Sequence, residues 1–185
     1  MSKKILCLFL GFWLGIFSFC SRPEKKPAPQ TSQKKNITEQ RALKTFGPSV
    51  AGSFYPAQPE QLKSMIEKFL SQAQIPQLKG ELLGVLAPHA GYIYSGAVAG
   101  YAFKAIQQGR KNKFVIIGPS HYYPGAGKVA VLEADYYQTP LGKVKINRSK
   151  VKELLSQGDW LIGSAQYFYP EHSVEVEIPF LQVAV

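Results

Sequence analysis

Two short apolar runs, separated by a helix-forming stretch, constrain the fold more than any other feature of the sequence. Leu82–Ala87 (LLGVLA) and Lys113–Gly118 (KFVIIG) have the length and composition of buried strands. Between them, Ser95 can cap a helix that continues to Gln108, and Gly109 can end it. A strand, a helix and a second strand predict a right-handed unit with parallel strands. We therefore expect an α/β domain with a mostly parallel central sheet flanked by helices.

A histidine follows each of the two predicted strands. His89 lies two residues after the first run, and His121 lies three residues after the second. Because the carboxyl ends of parallel strands meet at one edge of a sheet, we expect both side chains to lie in the same cleft. Neutral imidazole is the commonest metal ligand, and two imidazoles with a third ligand suit Fe(II), Cu or Zn. The spacing predicts a His89–His121 metal pair, with ordinary hydrogen-bonded loop histidines as the alternative.

Other polar residues could complete this cleft. His172 is the remaining histidine of the chain, and we predict that it acts there as an acid or base. Tyr92 could donate a hydrogen bond into the cleft, or it packs on the helix that follows. Glu175, three positions after His172, could share its face or be a helix-end charge. Asp135 could be a metal ligand, although most loop aspartates are solvated.

The other elements are predicted from hydrophobic periodicity. The patterns indicate a helix over Pro59–Ala73, a strand near Val129–Leu132, a strand over Lys143–Ile146 and a helix over Arg148–Leu155. In the last segment, Ser173 can cap a helix that begins at Val174 or Glu175. Pro179 then lies in the first turn of a later helix, or it kinks this one.

The first 20 residues have the pattern of an export signal. Lys3 and Lys4 precede the apolar run Ile5–Phe19, which ends at Cys20. The run has 15 residues, which is shorter than the stretch of about 20 that spans a membrane. An apolar run that ends at a cysteine resembles the lipobox of bacterial lipoproteins, so we predict a lipidated Cys20 on an exported, membrane-anchored protein. The alternatives are a plain cleaved signal, an uncleaved anchor and a cytoplasmic protein.

The positive charge of the chain lies mainly outside the predicted domain. The net charge is +10, but nine of the 22 basic residues precede Phe46, opposed by two acidic ones. The part that follows has 13 basic and 10 acidic residues and no nucleic-acid motif, so we expect no nucleic-acid partner. Residues 21–45 have few large apolar side chains, and we predict a flexible tether there. The folded domain is then 46–185.

Five sequence motifs follow one another along the predicted domain: VAGSFYP (50–56), APHAGYIYSG (87–96), IIGPSHYYP (116–124), TPLG (139–142) and EHSVEVEIPFLQ (171–182). In this order they resemble the Memo family, whose bacterial and archaeal members are called AmmeMemoRadiSam system protein B. The resemblance implies a fold similar to that of the LigB-type class III extradiol dioxygenases. It also implies that His89 and His121 are metal-site histidines, that His172 is a further histidine of the cleft, and that the metal is iron or copper.

The resemblance also bears on function. It implies a mononuclear non-haem metal cleft, with redox or dioxygenase-like chemistry if the protein is an enzyme. AMMECR1-like and radical SAM proteins are the implied partners. The alternative is a binding module without turnover, which recognises a peptide or small ligand. The tyrosines that could line such a groove are Tyr92, Tyr94, Tyr122 and Tyr123.

The sequence ends at Val185, directly after the IPFLQ motif. Members of the family continue with a further segment of the type SSD-x-[SC]-H, which has no match here. We therefore expect a domain that is incomplete at its C-terminal end, marginally stable and inactive. The alternative is a compact smaller variant.

Overall fold

The computed structural model of the chain describes residues 42–123 and 127–185. The predicted export signal, Cys20 and most of the predicted tether lie outside the described residues. Within the described part of the chain, no helix is both long enough and apolar enough to cross a membrane.

The described residues form helices and short strands in the following order. These are β1 (Thr45–Phe46), α1 (Pro59–Gln72), α2 (Tyr92–Gly109), β2 (Val129–Val131), β3 (Tyr136–Thr139), β4 (Gly142–Lys145), α3 (Arg148–Leu155), β5 (Leu161–Gly163), a 3-10 turn (Gln166–Phe168) and α4 (Glu177–Ala184). The mixed α/β character predicted from the sequence is confirmed.

The strands form two small sheets. In the first, β3 lies between β1 and β4, parallel to β1 and antiparallel to β4. In the second, β2 and β5 are parallel. Regular pairing begins slightly before the predicted domain boundary, because Thr45 pairs with Tyr136 and the Lys44 amide donates to Asp135 at 2.7 Å.

The predicted central sheet is not present among the described residues. The runs Leu82–Ala87 and Lys113–Gly118 carry no regular secondary structure. Nor are they buried, since Leu86 is 96% exposed and Ile117 is 87% exposed. An apolar run indicates a preference for burial, but a strand also needs a neighbouring strand to bond with its backbone. No other described strand pairs with either run, so the prediction of two buried parallel strands is wrong here.

The helix predictions are largely confirmed. The predicted helices at Pro59 and Arg148 are present as α1 and α3. The helix after the first run begins at Tyr92 rather than after Ser95, because the Gly91 carbonyl accepts from the Ser95 amide. The last helix begins at Glu177, so Pro179 lies in its first turn, where a missing N–H costs little.

The core lies between α1, α2 and α4. Leu62 and Ile66 of α1 are fully buried, and Phe103 of α2 stacks on Phe180 of α4 with ring centroids 4.8 Å apart. Gly100 lets α2 approach α1 closely, because a Cβ there would lie 2.8 Å from the Phe69 carbonyl oxygen. This packing holds the start of α2 beside the start of α4, and each start is preceded by a loop that carries a histidine.

The fold buries the carboxyl group of Glu177 although one of its oxygens lacks a hydrogen-bond donor in the described part of the chain. It begins α4 and is 7% exposed, and its Oε2 atom has no hydrogen-bond partner among the described residues. Burial raises the pKa of Glu177 from 4.5 to about 7. The charged form is disfavoured because it loses contact with water.

We expect Glu177→Gln to stabilise the domain at about pH 8 and to have little effect at about pH 4. At the lower pH, the carboxyl is mostly protonated in both the folded and the unfolded chain. As the pH rises from 4.5 to about 7, the unfolded chain releases its proton first, so the wild type loses stability. The loss is at most about 3 kcal/mol and is constant at higher pH. Denaturant unfolding at both pH values measures it, and an equal effect at both would contradict the prediction.

Candidate metal centre

The three histidines of the chain meet at one place. The His121 and His172 rings are stacked, with centroids 4.4 Å apart and an angle of 18° between their planes. The His89 ring lies 5.3 Å from that of His121 and 6.0 Å from that of His172. Each imidazole can offer one ligand atom, and these atoms all lie within 4.8 Å of one another. His89 and His121, predicted to share a cleft, therefore do so together with His172.

Loops position these histidines, rather than the ends of paired strands. His89 lies just before α2, His121 follows the second apolar run, and His172 lies before α4. The loops of His121 and His172 are in direct contact, since the Ser173 hydroxyl donates to the Pro119 carbonyl at 2.7 Å. Gly118 allows this approach, because a Cβ there would lie 2.5 Å from the Ser173 oxygen.

Glu171 joins the same two loops through its carboxylate. Its Oε2 accepts from the His121 amide at 2.6 Å. Its Oε1 accepts from the amides of His172 and Ser173, at 2.7 and 2.8 Å, and lies 2.9 Å from His121 Nδ1. Burial alone would raise the pKa of Glu171, but the hydrogen bonds from these residues outweigh burial and lower it to about 2. The carboxylate is therefore ionised at neutral pH.

This contact fixes which nitrogen of His121 faces the cleft. An ionised carboxylate can only accept hydrogen bonds, so the Nδ1 atom of His121 must donate to Glu171. In the neutral ring, the lone pair is then on Nε2. A histidine that ligates a metal through one nitrogen usually donates its other N–H to a carboxylate or carbonyl in this way. Glu171 thus leaves Nε2 of His121 as the ring nitrogen that could bind a metal.

His172 is more enclosed than His121. Its side chain is 13% exposed, against 38% for His121, and the Phe54 ring packs on it with centroids 4.5 Å apart. Burial is the main reason that the pKa of His172 is lowered, and the neighbouring His121 adds to the effect. The neutral form, which is the form that binds a metal, is thereby favoured. His172 Nδ1 has no hydrogen-bond partner among the described residues.

The histidines line an open cleft of about 530 Å³. Its other lining residues are Phe54, Pro88, Ala90, Gly91 and Tyr94. None of them is charged, so the cleft has apolar and aromatic walls beside three imidazoles. Clefts of this size and composition are typical of small-molecule sites.

The histidine cluster fits a single metal ion. A bound imidazole nitrogen lies about 2.0–2.1 Å from Zn²⁺, so two nitrogens on one ion are at most about 4.2 Å apart. The ligand atoms here lie within 4.8 Å of one another, and small side-chain rotations would bring them into that range. Imidazole donors suit iron, copper and zinc alike, so the donor set does not select one of them.

Tyr92 faces the core, not the cleft into which we predicted it could donate a hydrogen bond. It is 2% exposed, its hydroxyl donates to the Val176 carbonyl at 2.7 Å, and its ring packs on Phe180. Burial is the main reason that its pKa is raised well above 10. The expectation that it donates into the cleft is corrected, because this hydroxyl is already bonded inside the core. Tyr94, two residues later, lines the cleft instead.

Of the other candidate residues, Tyr122 lies against the histidines, whereas Tyr123 and Asp135 have partners elsewhere. The Tyr122 ring is edge-on to His121 and His172, while the Tyr123 hydroxyl lies 3.5 Å from the Tyr169 carbonyl oxygen. Asp135 accepts from the Lys44 amide at the end of the first sheet and is not part of the histidine cluster.

Two residues of the site, Glu171 and Phe54, were not assigned a role from the sequence. Glu171 precedes His172 directly, and a carboxylate beside a candidate ligand is a signal that could have drawn attention to it. Phe54 lies far from every histidine in the sequence, and nothing in its neighbourhood indicates the contact with His172.

Comparison with known proteins gives consistent matches. A family model described as Memo-like protein matches residues 47–185. A MEMO1 family protein of Pyrobaculum aerophilum is 41% identical over 142 residues, which cover 73% of this chain and 50% of that protein. Relatives from Thermoplasma acidophilum and Nitrosopumilus maritimus, also described as MEMO1 family proteins, are each 38% identical over 73% of this chain and cover 49% and 50% of their own lengths. The chain thus spans about half the length of the curated relatives it matches.

Proposed function

The chain belongs to the Memo family, and from this we propose that His89, His121 and His172 form a mononuclear non-haem metal centre. The observation that carries the proposal is the convergence of three imidazole ligand atoms within 4.8 Å in one open cleft. The orientation of His121 by Glu171 supports it, because metal sites usually have such a supporting carboxylate.

In this proposal, His89 and His121 are metal ligands. His172 either supplies the third protein ligand or acts as an acid or base beside the ion. On the basis of the family resemblance, Fe(II) and Cu are the metals we assign first, and Zn is the third candidate because it too binds imidazole. A bound metal of this kind would polarise a substrate oxygen or exchange electrons. The residues of the chain would orient the ligands, and Phe54 and Pro88 would provide apolar walls beside the ion.

For the reaction, we propose redox chemistry of a dioxygenase-like kind on a small substrate. The cleft has room for a small molecule, and Phe54 and Tyr94 give it aromatic walls. AMMECR1-like and radical SAM proteins are the partners we propose, on the basis of the family resemblance. The activity, substrate and partners of the whole protein are all proposals of this kind.

Metal analysis of the purified full chain tests the proposal. After separate loading with Fe(II), Cu(II) or Zn(II) and removal of free ions, we expect about one equivalent of at least one metal. The His89→Ala/His121→Ala double variant is the control, and it should lose that equivalent. Less than about 0.1 equivalent of every metal, unchanged in the double variant, would refute the metal centre.

A binding module without turnover is the second candidate function. The exposed aromatic rings of Tyr94 and Tyr122 beside the cleft favour it, because such rings provide contact area for a peptide or small ligand. Binding that persists in the His89→Ala/His121→Ala variant would support this function. Binding that disappears together with the metal would count against it.

For location, we propose export and attachment to a bacterial membrane through a lipid on Cys20. The apolar run that ends at this cysteine supports the proposal. A fatty-acid probe should label the wild type in bacterial cells, and Cys20→Ala should abolish the label, with Cys7→Ala as the matched control. A cytosolic protein of full mass without label would contradict it.

A further inference from the structure

Glu175 lies behind the cleft and is one of the most buried charged residues of the described chain, at 1% exposure. Four groups donate to its carboxyl oxygens: the Ser49 amide at 2.7 Å, the Val50 amide at 2.9 Å, the Tyr55 hydroxyl at 2.7 Å and the Tyr137 hydroxyl at 3.2 Å. A carboxyl group in the core is costly unless donors surround it, as they do here. Three of these donors belong to one short segment, 49–55.

The segment 49–55 is a compact turn. The Gly52 amide donates to the Tyr55 carbonyl at 2.8 Å, and the Phe54 amide donates to the Val50 carbonyl at 2.9 Å. Gly52 has a φ of +88°, a backbone conformation that residues other than glycine rarely adopt. Because the turn is hydrogen-bonded internally, the bonds that fix Val50 and Tyr55 to Glu175 also fix the position of Phe54 between them.

Phe54 connects this turn to the histidine cluster. Its ring lines the cleft and packs on His172, and its carbonyl accepts from the Tyr92 amide at 2.7 Å. Tyr92 follows His89 by three residues, and Glu175 follows His172 by three. The turn is therefore bonded on one side to the loop of His89 and on the other to the loop of His172.

We propose that Glu175 is a positioning residue of the cleft. By holding the 49–55 turn, it keeps Phe54 against His172 and fixes the separation of the His89 and His172 loops. Phe54 limits the rotation of the His172 ring, so its ligand nitrogen stays near those of the other two imidazoles. The proposal rests on the proposed metal centre for its effect on metal binding, while the contact between Phe54 and His172 does not depend on metal.

Two tyrosine variants of the full chain separate this role from a general contribution to stability. Tyr55→Phe removes a donor to Glu175 that belongs to the turn, and Tyr137→Phe removes a donor from β3, outside it. With Co(II) alone as the probe, we expect Tyr55→Phe to weaken binding about three- to tenfold and Tyr137→Phe to change it less than about twofold. Equal effects of both variants on Co(II) affinity would overturn the proposal.

A double-mutant cycle tests whether the effect passes through Phe54. In a Phe54→Ala background, Tyr55→Phe should no longer change Co(II) affinity, although it should still lower the unfolding midpoint. Additive effects on affinity would show that Glu175 does not act through Phe54 and would also overturn the proposal.

A measurement on metal-free protein distinguishes failure of this proposal from failure of the metal centre. The Phe54 ring should shift the NMR signals of the His172 ring protons, since the centroids are 4.5 Å apart. We expect this shift to decrease in Tyr55→Phe and in Glu175→Gln but not in Tyr137→Phe. If no variant binds Co(II) but the NMR pattern holds, the metal centre fails and the positioning role stands. An unchanged shift in Tyr55→Phe would refute the positioning role.

Discussion

Glu171→Gln is expected to weaken metal binding by about 10- to 100-fold and to lower the stability of the domain by about 2–4 kcal/mol. The reason is the number of donors that converge on this one side chain. Three backbone amides and one imidazole nitrogen, from the loops of His121 and His172, surround the carboxylate. No other side chain connects these two loops through as many of the hydrogen bonds described.

The amide of glutamine cannot replace this carboxylate. It has one acceptor oxygen and one donor nitrogen, whereas both oxygens of Glu171 accept. If the amide oxygen takes the position of Oε1, the NH₂ group faces the His121 amide, which is itself a donor. If the oxygen takes the position of Oε2, the amides of His172 and Ser173 lose their acceptor. Either orientation leaves a buried donor unpaired, and the second also places the NH₂ group against Nδ1 of His121, which favours the tautomer with the lone pair on Nδ1.

Isothermal titration with the metal that the wild type binds measures the effect on affinity, and denaturant unfolding of the metal-free protein measures the effect on stability. Glu153→Gln is the matched control, because Glu153 is exposed on α3 and its carboxylate pairs with Lys150, three residues earlier on the same helix. We expect the control to change affinity less than about twofold and stability by less than about 0.5 kcal/mol. If Glu171→Gln behaved like this control, the assignment of Glu171 as the support of His121 would be wrong.

The sequence predicted the helices well because their signals are local. The spacing of Leu62, Ile66 and Leu70 places one apolar face on α1, and that face is buried. Pro179 was expected in the first turn of a later helix or at a kink for an equally local reason, the missing N–H, and the first of these is what the structure has. The runs 82–87 and 113–118 failed as strands because strand formation depends on a partner elsewhere in the chain, which a local pattern does not identify.

The candidate site was only partly predictable from the sequence. The meeting of His89 and His121 was predicted, but from strand ends that do not form. Instead, one hydrogen bond joins the loops of His121 and His172, and another joins Tyr92, just after His89, to Val176, just after His172. Glu171 bonds to a residue 50 positions away, and Glu175 accepts from Val50, 125 positions away. Contacts of this kind depend on the packing of the whole domain, so the residue pattern alone could not predict them. That the domain is incomplete stays a prediction.

The exposed apolar side chains of the two runs lead to a prediction about self-association. Leu83 and Leu86 are 92% and 96% exposed, and Val115 and Ile117 are 83% and 87% exposed. Large exposed apolar side chains grouped in short runs can act as association sites, and backbone groups without strand partners beside them promote pairing between chains. We therefore expect a protein of residues 42–185 to self-associate at micromolar concentration.

Charges placed on these runs should restore a monomer. Burial of one such side chain contributes about 1.5–3 kcal/mol, so Leu86→Lys together with Val115→Lys is expected to weaken association by at least about 100-fold. Leu43→Lys is the matched control, since Leu43 is 67% exposed but lies outside both runs. Sedimentation velocity across a concentration series measures the effect. A wild type that stays monomeric at about 100 μM would contradict the prediction. So would a Leu43→Lys control that weakens association as much as the double variant does, because association driven by apolar burial should depend on the side chains that become buried.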